Sequence, residues 1–410
     1  MRFAGWRRRW WFGFCRCRCR VPLEPQATMG YPAVTRPLIW ASDRTQESSY
    51  HHKTTALKLV ITLSQPLKES LSSSDGEMRR FIRYGAQIAR RFHTSPQHLR
   101  PSVAQVDQAH TAAIDVATFR QQAFIPEKPL LISGGKESPT SQLEATRKWF
   151  TKAKSGHCQL SSHTTEHEDC PFPYEVVIHP GASLQAVEAF KDWLLKTGQL
   201  TDQILAGTVQ SVLSEAGNHN TFFQLYAPLR LLTQAVEFNL NHQKTPVQIY
   251  IAQSSLADLP QALQADLPPP ELILQAGKGD IYASSIWLGT EPTFTPLHRD
   301  PNPNLFCQLQ GTKAVRLLPP QIGEMLYFEV QAKIRQQGSS KIRTAEGMMQ
   351  GLERRVLEDA IWGDEVDLAE MREAKVDAGD ALFIPKGWWH SIRSWGSAGA
   401  LNGSVNWWFR

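Results

Sequence analysis

Two histidines and one aspartate carry the strongest chemical signal in this chain. His298 and Asp300 stand two residues apart in Thr295-Pro-Leu-His298-Arg-Asp300, and His390 closes the run Phe383-Ile-Pro-Lys-Gly-Trp-Trp-His390. On a strand, residues i and i+2 point the same way, so an imidazole and a carboxylate are presented together. A histidine from a neighbouring strand would complete two nitrogens and one oxygen on a single octahedral face. Fe(II) takes that donor set when three positions must stay open, two for a chelating 2-oxo acid and one for dioxygen. The triplet H-x-D alone says little: it recurs by chance, and an isolated buried histidine is more often a satisfied core residue than a ligand.

A second chemical residue follows on the next strand. Lys313 sits among Ala, Val and Leu in Lys313-Ala-Val-Arg-Leu-Leu318. A buried ammonium is costly without a partner, so a core lysine here predicts an anion. The alternative is a surface lysine at a turn.

The surroundings supply specificity. His298–Pro320, HRDPNPNLFCQLQGTKAVRLLPP, resembles the Jumonji-C hydroxylases, the class that includes the asparaginyl hydroxylase acting on hypoxia-inducible factor. In that class H-x-D is followed by Asn, an F-x-Q-x-x-G-x-K strand and a Pro-Pro stop. Here those positions are Asn304, Phe306, Gln308, Gly311, Lys313 and Pro319-Pro320. Tyr250-Ile-Ala-Gln253 is similar to the family's Y-L-A-Q strand. Gly379-Asp380, Pro385, Trp388-Trp389-His390 and Val405-Asn406-Trp407-Trp408 are similar to its last strands. The resemblance covers Glu127–Arg410, most closely 245–320 and 375–410.

The resemblance implies a mainly β fold with added helices, a double-stranded β-helix of the cupin or jelly-roll type. It implies Fe(II) on His298, Asp300 and His390, with 2-oxoglutarate and dioxygen as co-substrates. Lys313 would meet the distal carboxylate of 2-oxoglutarate, with hydroxyls from Thr295 and Tyr250 as further donors. Asn304 and Asn406 would be amides near the oxo acid and the iron, although Asn406 falls one residue later than the family spacing. Trp388, Trp389, Trp407 and Trp408 read as core and pocket wall. The implied reaction couples decarboxylation of 2-oxoglutarate to succinate with oxidation of a substrate C–H bond. Protein side-chain hydroxylation fits the best local matches. N-methyl-lysine demethylation and tRNA hydroxylation are the alternatives. An inactive cupin-like binding module is the non-enzyme alternative, and it would be expected to have lost a ligand or Lys313.

The elements that must position these residues can be sketched from periodicity. Residues 106–244 read as an N-terminal α/β portion packed on the core, and 245–410 as the core. Asp115–Gln122 has a helical pattern, and Glu127–Gly135 and Glu175–Pro180 read as short strands. Ser183–Thr197 reads as an amphipathic helix capped by Ser183 and closed by Gly198, with more helical pattern through Ala235. Thr245–Gln253 is a β-branched strand, and the Pro-rich run to Leu272 an extended connector. An insertion at 321–374 has helical pattern at Glu324–Gln336 and Ala345–Trp362; in the family such an insertion lies over the pocket mouth. The family's C-terminal dimer helices have no counterpart after Trp408, so that dimer mode is not expected.

Residues 136–170 read as a polar loop. They contain His157, Cys158, His163, His167 and Cys170, but no paired C-x2-C, so a mobile loop is favoured over structural zinc.

Charge is unevenly spread. Residues 1–99 hold 17 Lys/Arg and 6 Asp/Glu, a balance of +11; the remaining 27 and 33 give −6, for the chain's total of +5. The acidic body makes nucleic acid an unfavoured partner and leaves a protein substrate as the expected one. No apolar run approaches the roughly 20 residues of a membrane span, so insertion is not expected. Scattered cysteines fit a reducing compartment. Residues 1–99 read as a disordered leader. Within it, Met78–Leu99 is amphipathic, with five arginines and no acid. That is the signature of a mitochondrial presequence recognised by the import machinery, with nucleus or cytoplasm as alternative destinations. Arg90–Ser95 is similar to a two-step matrix cleavage site, and Met78 reads as the true start, with residues 1–77 an over-extension of the gene.

Overall fold

The central strands Asn304–Gln310 and Leu401–Phe409 bury side chains on both faces, and their pairing decides which face meets the site. The computed structural model describes residues 103–109, 114–178, 182–216, 221–335, 348–363 and 368–410; the leader and its 78–99 segment lie outside them. The early strands are β1 (Ala104–Gln105), β2 (Gln108–Ala109), β3 (Leu130–Ile132), the hairpin β4 (Phe150–Lys152) and β5 (Cys158–Leu160), β6 (Pro171–Val177) and β7 (Phe222–Pro228). Then come β8 (Tyr250–Ser255), β9 (Ile281–Thr290), β10 (Phe294–Arg299), β11 (Asn304–Gln310) and β12 (Lys313–Leu318). The last four are β13 (Arg372–Val376), β14 (Ala381–Ile384), β15 (Trp389–Ser394) and β16 (Leu401–Phe409).

Two sheets form the roll. One runs β1-β13-β12-β15-β10, the other β2-β3-β14-β11-β16-β9-β8-β6-β7. Between them Phe306, Val315, Leu317, Leu382, Ile384 and Ile392 make one apolar cluster. On the outer face of the larger sheet, Leu305, Cys307, Phe383, Val405, Trp407 and Phe409 join the main core. The helices Ala182–Lys196, Leu200–Ala216 and Arg230–Asn241 contribute Phe190, Leu205 and Leu232 to the same core. Each such side chain contributes about 1.5–3 kcal/mol relative to exposure. The portion before residue 245 therefore does more than pack on the core: β2, β3, β6 and β7 belong to the core's own sheet.

Local chemistry explains several elements. Asp115 caps Val116–Phe119 by accepting from the Thr118 amide at 2.8 Å. Strand β6 alternates, burying Phe172, Tyr174 and Val176. The expected Ser183 cap is not formed, because the helix already begins at Ala182 and the Ser183 hydroxyl lies 3.4 Å from the Val177 carbonyl.

The expected loop at 136–170 is ordered into two short helices and the β4–β5 hairpin. It is tied down by Asp266, which accepts from Lys148 at 2.9 Å and Trp149 at 3.0 Å, and pairs with His163 at 2.6 Å. The expected extended connector before Leu272 contains short helical turns at Leu256–Asp258, Gln261–Ala265 and Glu271–Ala276.

The 321–374 insertion contributes two described helices. Its helices, Pro320–Ile334 and Gly351–Trp362, pack Leu326, Tyr327, Val330, Leu357 and Ile361 against Leu297, Leu318 and Trp389. Strand alternation places those three on the outer face of the smaller sheet, so these two helices cover that face. Met349, Arg354 and Glu358 line a cavity of about 430 Å³ whose other wall includes Tyr250, Thr293 and Ser394.

Candidate metal and co-substrate site

Cross-strand partners share a face, so the pairing registers read out what lines the roll. On the smaller sheet His298 pairs with His390, and His390 with Leu317. One step along, Thr295 pairs with Ile392, and Ile392 with Val315. The next step sets Ser394 beside Lys313, with the Thr293 amide donating to Ser394 Oγ at 2.7 Å. Thr295 and His298 are three apart yet both reach the inner face, because a bulge between them absorbs the odd residue. Across the lumen, β16 presents Trp408, Asn406 and Ser404 opposite Asn304, Phe306 and Gln308 of β11.

At one end, His298, Asp300 and His390 hold ligand atoms all within 4.8 Å of one another. His298 Nε2 lies 4.0 Å from Asp300 Oδ1, and His390 Nε2 lies 3.6 Å from Asp300 Oδ2. Each imidazole has Nδ1 against a backbone carbonyl, His298 at Pro296 (2.9 Å) and His390 at Trp388 (3.1 Å). A carbonyl only accepts, so Nδ1 carries the proton and the Nε2 lone pair faces the centre. Burial, then the neighbouring His298, pushes His390 down to about 4, against the pull of Asp300 and the Trp388 carbonyl. It is therefore the neutral, ligating form at physiological pH.

Asp300 is fixed from two sides. Its Oδ2 accepts from Trp408 Nε1 at 2.7 Å and from Asn304 Nδ2 at 3.2 Å, and Asn304 Oδ1 accepts from Asn406 Nδ2 at 2.9 Å. Its carbonyl accepts from the Gly387 amide at 3.0 Å. Gly387 has φ +75°, a backbone state that a Cβ makes costly. With Oδ2 held by nitrogen donors, the second oxygen and two oriented imidazoles form a two-nitrogen, one-oxygen set that fits Fe(II). The buried Asn406 Oδ1 is left without a partner beside this set.

At the other end, Lys313 is 2% exposed. Its Nζ donates to Ser404 Oγ at 3.1 Å and to Tyr250 Oη at 3.4 Å. It also lies 5.7 Å from the Tyr250 ring and 5.5 Å from the Phe306 ring. Burial pulls it down to about 7, opposed by the charge of Glu291. Burial, then the charge of Glu175, likewise raises the Tyr250 hydroxyl, against the opposing pull of the nearby Thr293.

His298, Asp300, His390, Lys313, Thr295, Tyr250, Asn304 and Asn406 thus lie at the two ends of the lumen or on the step between them. Thr295 and Asn406 occupy that step, and their placement there rests on register. The sequence reading missed Trp408 as Asp300's donor and Ser404 as Lys313's. The visible signal was the period-2 series Asn402, Ser404, Asn406, Trp408, polar or N–H-bearing on one face. The His157–Cys170 cluster does not converge: among the described residues the His298–Asp300–His390 group is the one three-ligand set.

The roll, its inward imidazoles and carboxylate, and the buried lysine define a class. The chain belongs to the cupin-like domain family, whose model matches residues 116–410. Its relatives are Jumonji-C proteins. It is 28% identical over 145 residues to "Lysine-specific demethylase JMJ30" of Arabidopsis thaliana, covering 35% of this chain and 30% of that protein. It is 27% identical over 161 residues to "Lysine-specific demethylase 8" of Danio rerio, covering 39% and 36%. It is 24% identical over 198 residues to the human "Bifunctional peptidase and (3S)-lysyl hydroxylase JMJD7", covering 44% and 58%. The matched stretch spans about a third of the first two relatives. No described helix is long and apolar enough to cross a membrane.

Proposed function

We propose that the chain is an Fe(II)- and 2-oxoglutarate-dependent oxygenase that hydroxylates a protein side chain. The observation that carries this reading is the spacing of the two ends of the lumen. Lys313 and Leu317, the register partner of His390, are four residues apart on β12. At about 3.4 Å per residue that is roughly 13–14 Å between backbones. Side chains reaching inward from both ends leave room for a five-carbon dicarboxylate.

Bound iron would supply the activation of dioxygen and the oxidising power for the substrate C–H bond. The chain's own residues do the rest. His298, Asp300 and His390 would hold the metal in the tautomers and orientation already set by Pro296, Trp388 and Trp408. Lys313, Ser404 and Tyr250 would bind the distal carboxylate, and Thr295 stands on the step along which the diacid would run. Asn304 and Asn406 tie the far wall to Asp300 and keep that oxygen from rotating. The apolar cluster of Phe306, Val315 and Ile392 would exclude water from the space between.

Relatives named as lysine demethylases favour N-methyl-lysine oxidation as the second reading. The test is mass spectrometry of peptides and mitochondrial protein after incubation with enzyme, Fe(II) and 2-oxoglutarate. Gain of one oxygen supports hydroxylation; loss of methyl groups with release of formaldehyde supports demethylation. Matrix location is part of the proposal and rests on the arginine-rich 78–99 segment.

A further inference from the structure

Lys313 is an ammonium in the core whose direct partners are two neutral hydroxyls. Another charged group in the same interior is left half-satisfied. Glu291, in the turn between β9 and β10, is 2% exposed. Its Oε1 accepts from Asn402 Nδ2 at 3.0 Å, and its Oε2 has no hydrogen-bond partner. The Gly396 backbone packs directly against this carboxylate: a Cβ there would lie 2.4 Å from both oxygens. Asn402 is itself held by Gln308 Nε2 at 3.0 Å. Besides Asn402, only neutral groups, the Gly396 amide and the Ser394 hydroxyl, help hold this carboxylate, and burial still raises it; a buried anion without a contact cation costs desolvation, which a charge nearby would offset.

We propose that Glu291 is the resident counter-ion of Lys313, holding the ammonium charged without occupying its donors. Asn402 brings the two together: its Nδ2 donates to Glu291 Oε1 at 3.0 Å and to the carbonyl of Thr312, the residue before Lys313, at 3.2 Å. Among the described ion pairs none joins Glu291 to Lys313 at contact distance, so the Nζ protons stay available to an incoming carboxylate. The two groups nevertheless feel each other: the charge of Glu291 raises Lys313, and that of Lys313 lowers Glu291, each against a larger effect of burial. One further acid faces this end: Glu175 of β6, the register partner of Tyr250, raised to about 7 by burial, whose charge acts on the Tyr250 hydroxyl; the groups in direct contact with Lys313 are uncharged. Tyr250 comes from β8, Phe306 from β11, Ser404 from β16, and the register partners Val376 and Ser394 from β13 and β15. Glu291 is therefore a positioning residue, acting on the co-substrate through Lys313.

The inference rests on Lys313 as the co-substrate anchor, so its test has an arm that needs no co-substrate. In the ligand-free full chain, thermal unfolding is compared for Glu291→Gln, Lys313→Met and the double variant. A through-space pair predicts coupling: Lys313→Met strands a buried anion, and adding Glu291→Gln recovers Tm. Additive losses, or a double variant no better folded than Lys313→Met, overturn the counter-ion role.

The second arm is calorimetric titration of 2-oxoglutarate into Mn(II)-loaded Glu291→Gln and wild type from pH 6 to 9. The lysine must be charged to bind, so the variant's affinity should begin to fall at lower pH, by up to about tenfold per unit. Superimposed profiles, or tighter binding by the variant at every pH, would show Glu291 to be a spectator or a repulsive charge. No binding by wild type, together with intact coupling in the first arm, would strike the co-substrate reading and leave the pair standing.

Discussion

Trp408→Phe isolates a contact that the site should feel and the fold should not. The indole N–H donates to Asp300 Oδ2 at 2.7 Å, while the neighbouring Trp407 faces the opposite way into the main core. A hydrogen bond to a charged group contributes about 1.5–3 kcal/mol. Partners that orient metal ligands cost about 10–100-fold in affinity when removed. That range converts to roughly 1.4–2.8 kcal/mol, so the two scales agree. Asn304 still donates to the same oxygen at 3.2 Å, which argues for the lower half of the range. Anaerobic Fe(II) titration, with Co(II) absorbance as an independent probe, should show metal affinity reduced about tenfold. The control is Trp407→Phe, expected to lower Tm while leaving metal affinity unchanged. Unaltered metal affinity in Trp408→Phe, or equal losses in both variants, would refute the role assigned to Trp408.

Three further outcomes are expected. Asp300→Ala or His298→Ala should abolish stoichiometric Fe(II) binding measured by metal analysis, while circular dichroism stays native; full occupancy in Asp300→Ala rejects the ligand set. Because Lys313 is held at about 7, far below its unfolded value, the unfolded chain binds more protons between pH 7 and about 10, and stability from this group rises with pH there. The slope contribution is at most about 1.4 kcal/mol per pH unit, and Lys313→Met should remove it from urea-unfolding profiles. A Cβ at Gly323 would lie 2.2 Å from the Trp389 ring, so Gly323→Ala should cost about 1–3 kcal/mol in the same assay. Equal stability would mean that the insertion helix does not seat on the strand that carries His390.

How much was legible follows from what each residue needs. His298, Asp300 and His390 lie in short local motifs, and Lys313's burial follows from its apolar neighbours, so the two ends of the lumen could be read from sequence. Trp408, Ser404 and Glu291 could not, because their partners lie far along the chain, Trp408 and Asp300 being 108 residues apart. Strand β16 is buried on both faces, so its alternating Asn402, Ser404 and Asn406 mark one face without saying which strand or charged group that face meets. The adjacent tryptophans 407 and 408 look equivalent until pairing sends one to the outer core and the other to the carboxylate. The polar segment 136–170 looked like loop because its anchor, Asp266, lies about a hundred residues away. Strand β7 was absorbed into the helical pattern around it, since Phe222, Phe223 and Leu225 serve either period.

The lumen is proposed to bind 2-oxoglutarate between the metal ligands and Lys313. Calorimetric titration of 2-oxoglutarate into Mn(II)-loaded wild type and Lys313→Ala tests this most directly. One site per chain is predicted for wild type. Lys313→Ala should retain its metal and lose affinity by about 2–5 kcal/mol, roughly 30-fold or more. Lys313→Arg should recover only part of that loss, since a planar fork replaces a compact charge. Wild-type affinity in Lys313→Ala, or no binding by the wild-type chain, would contradict the account.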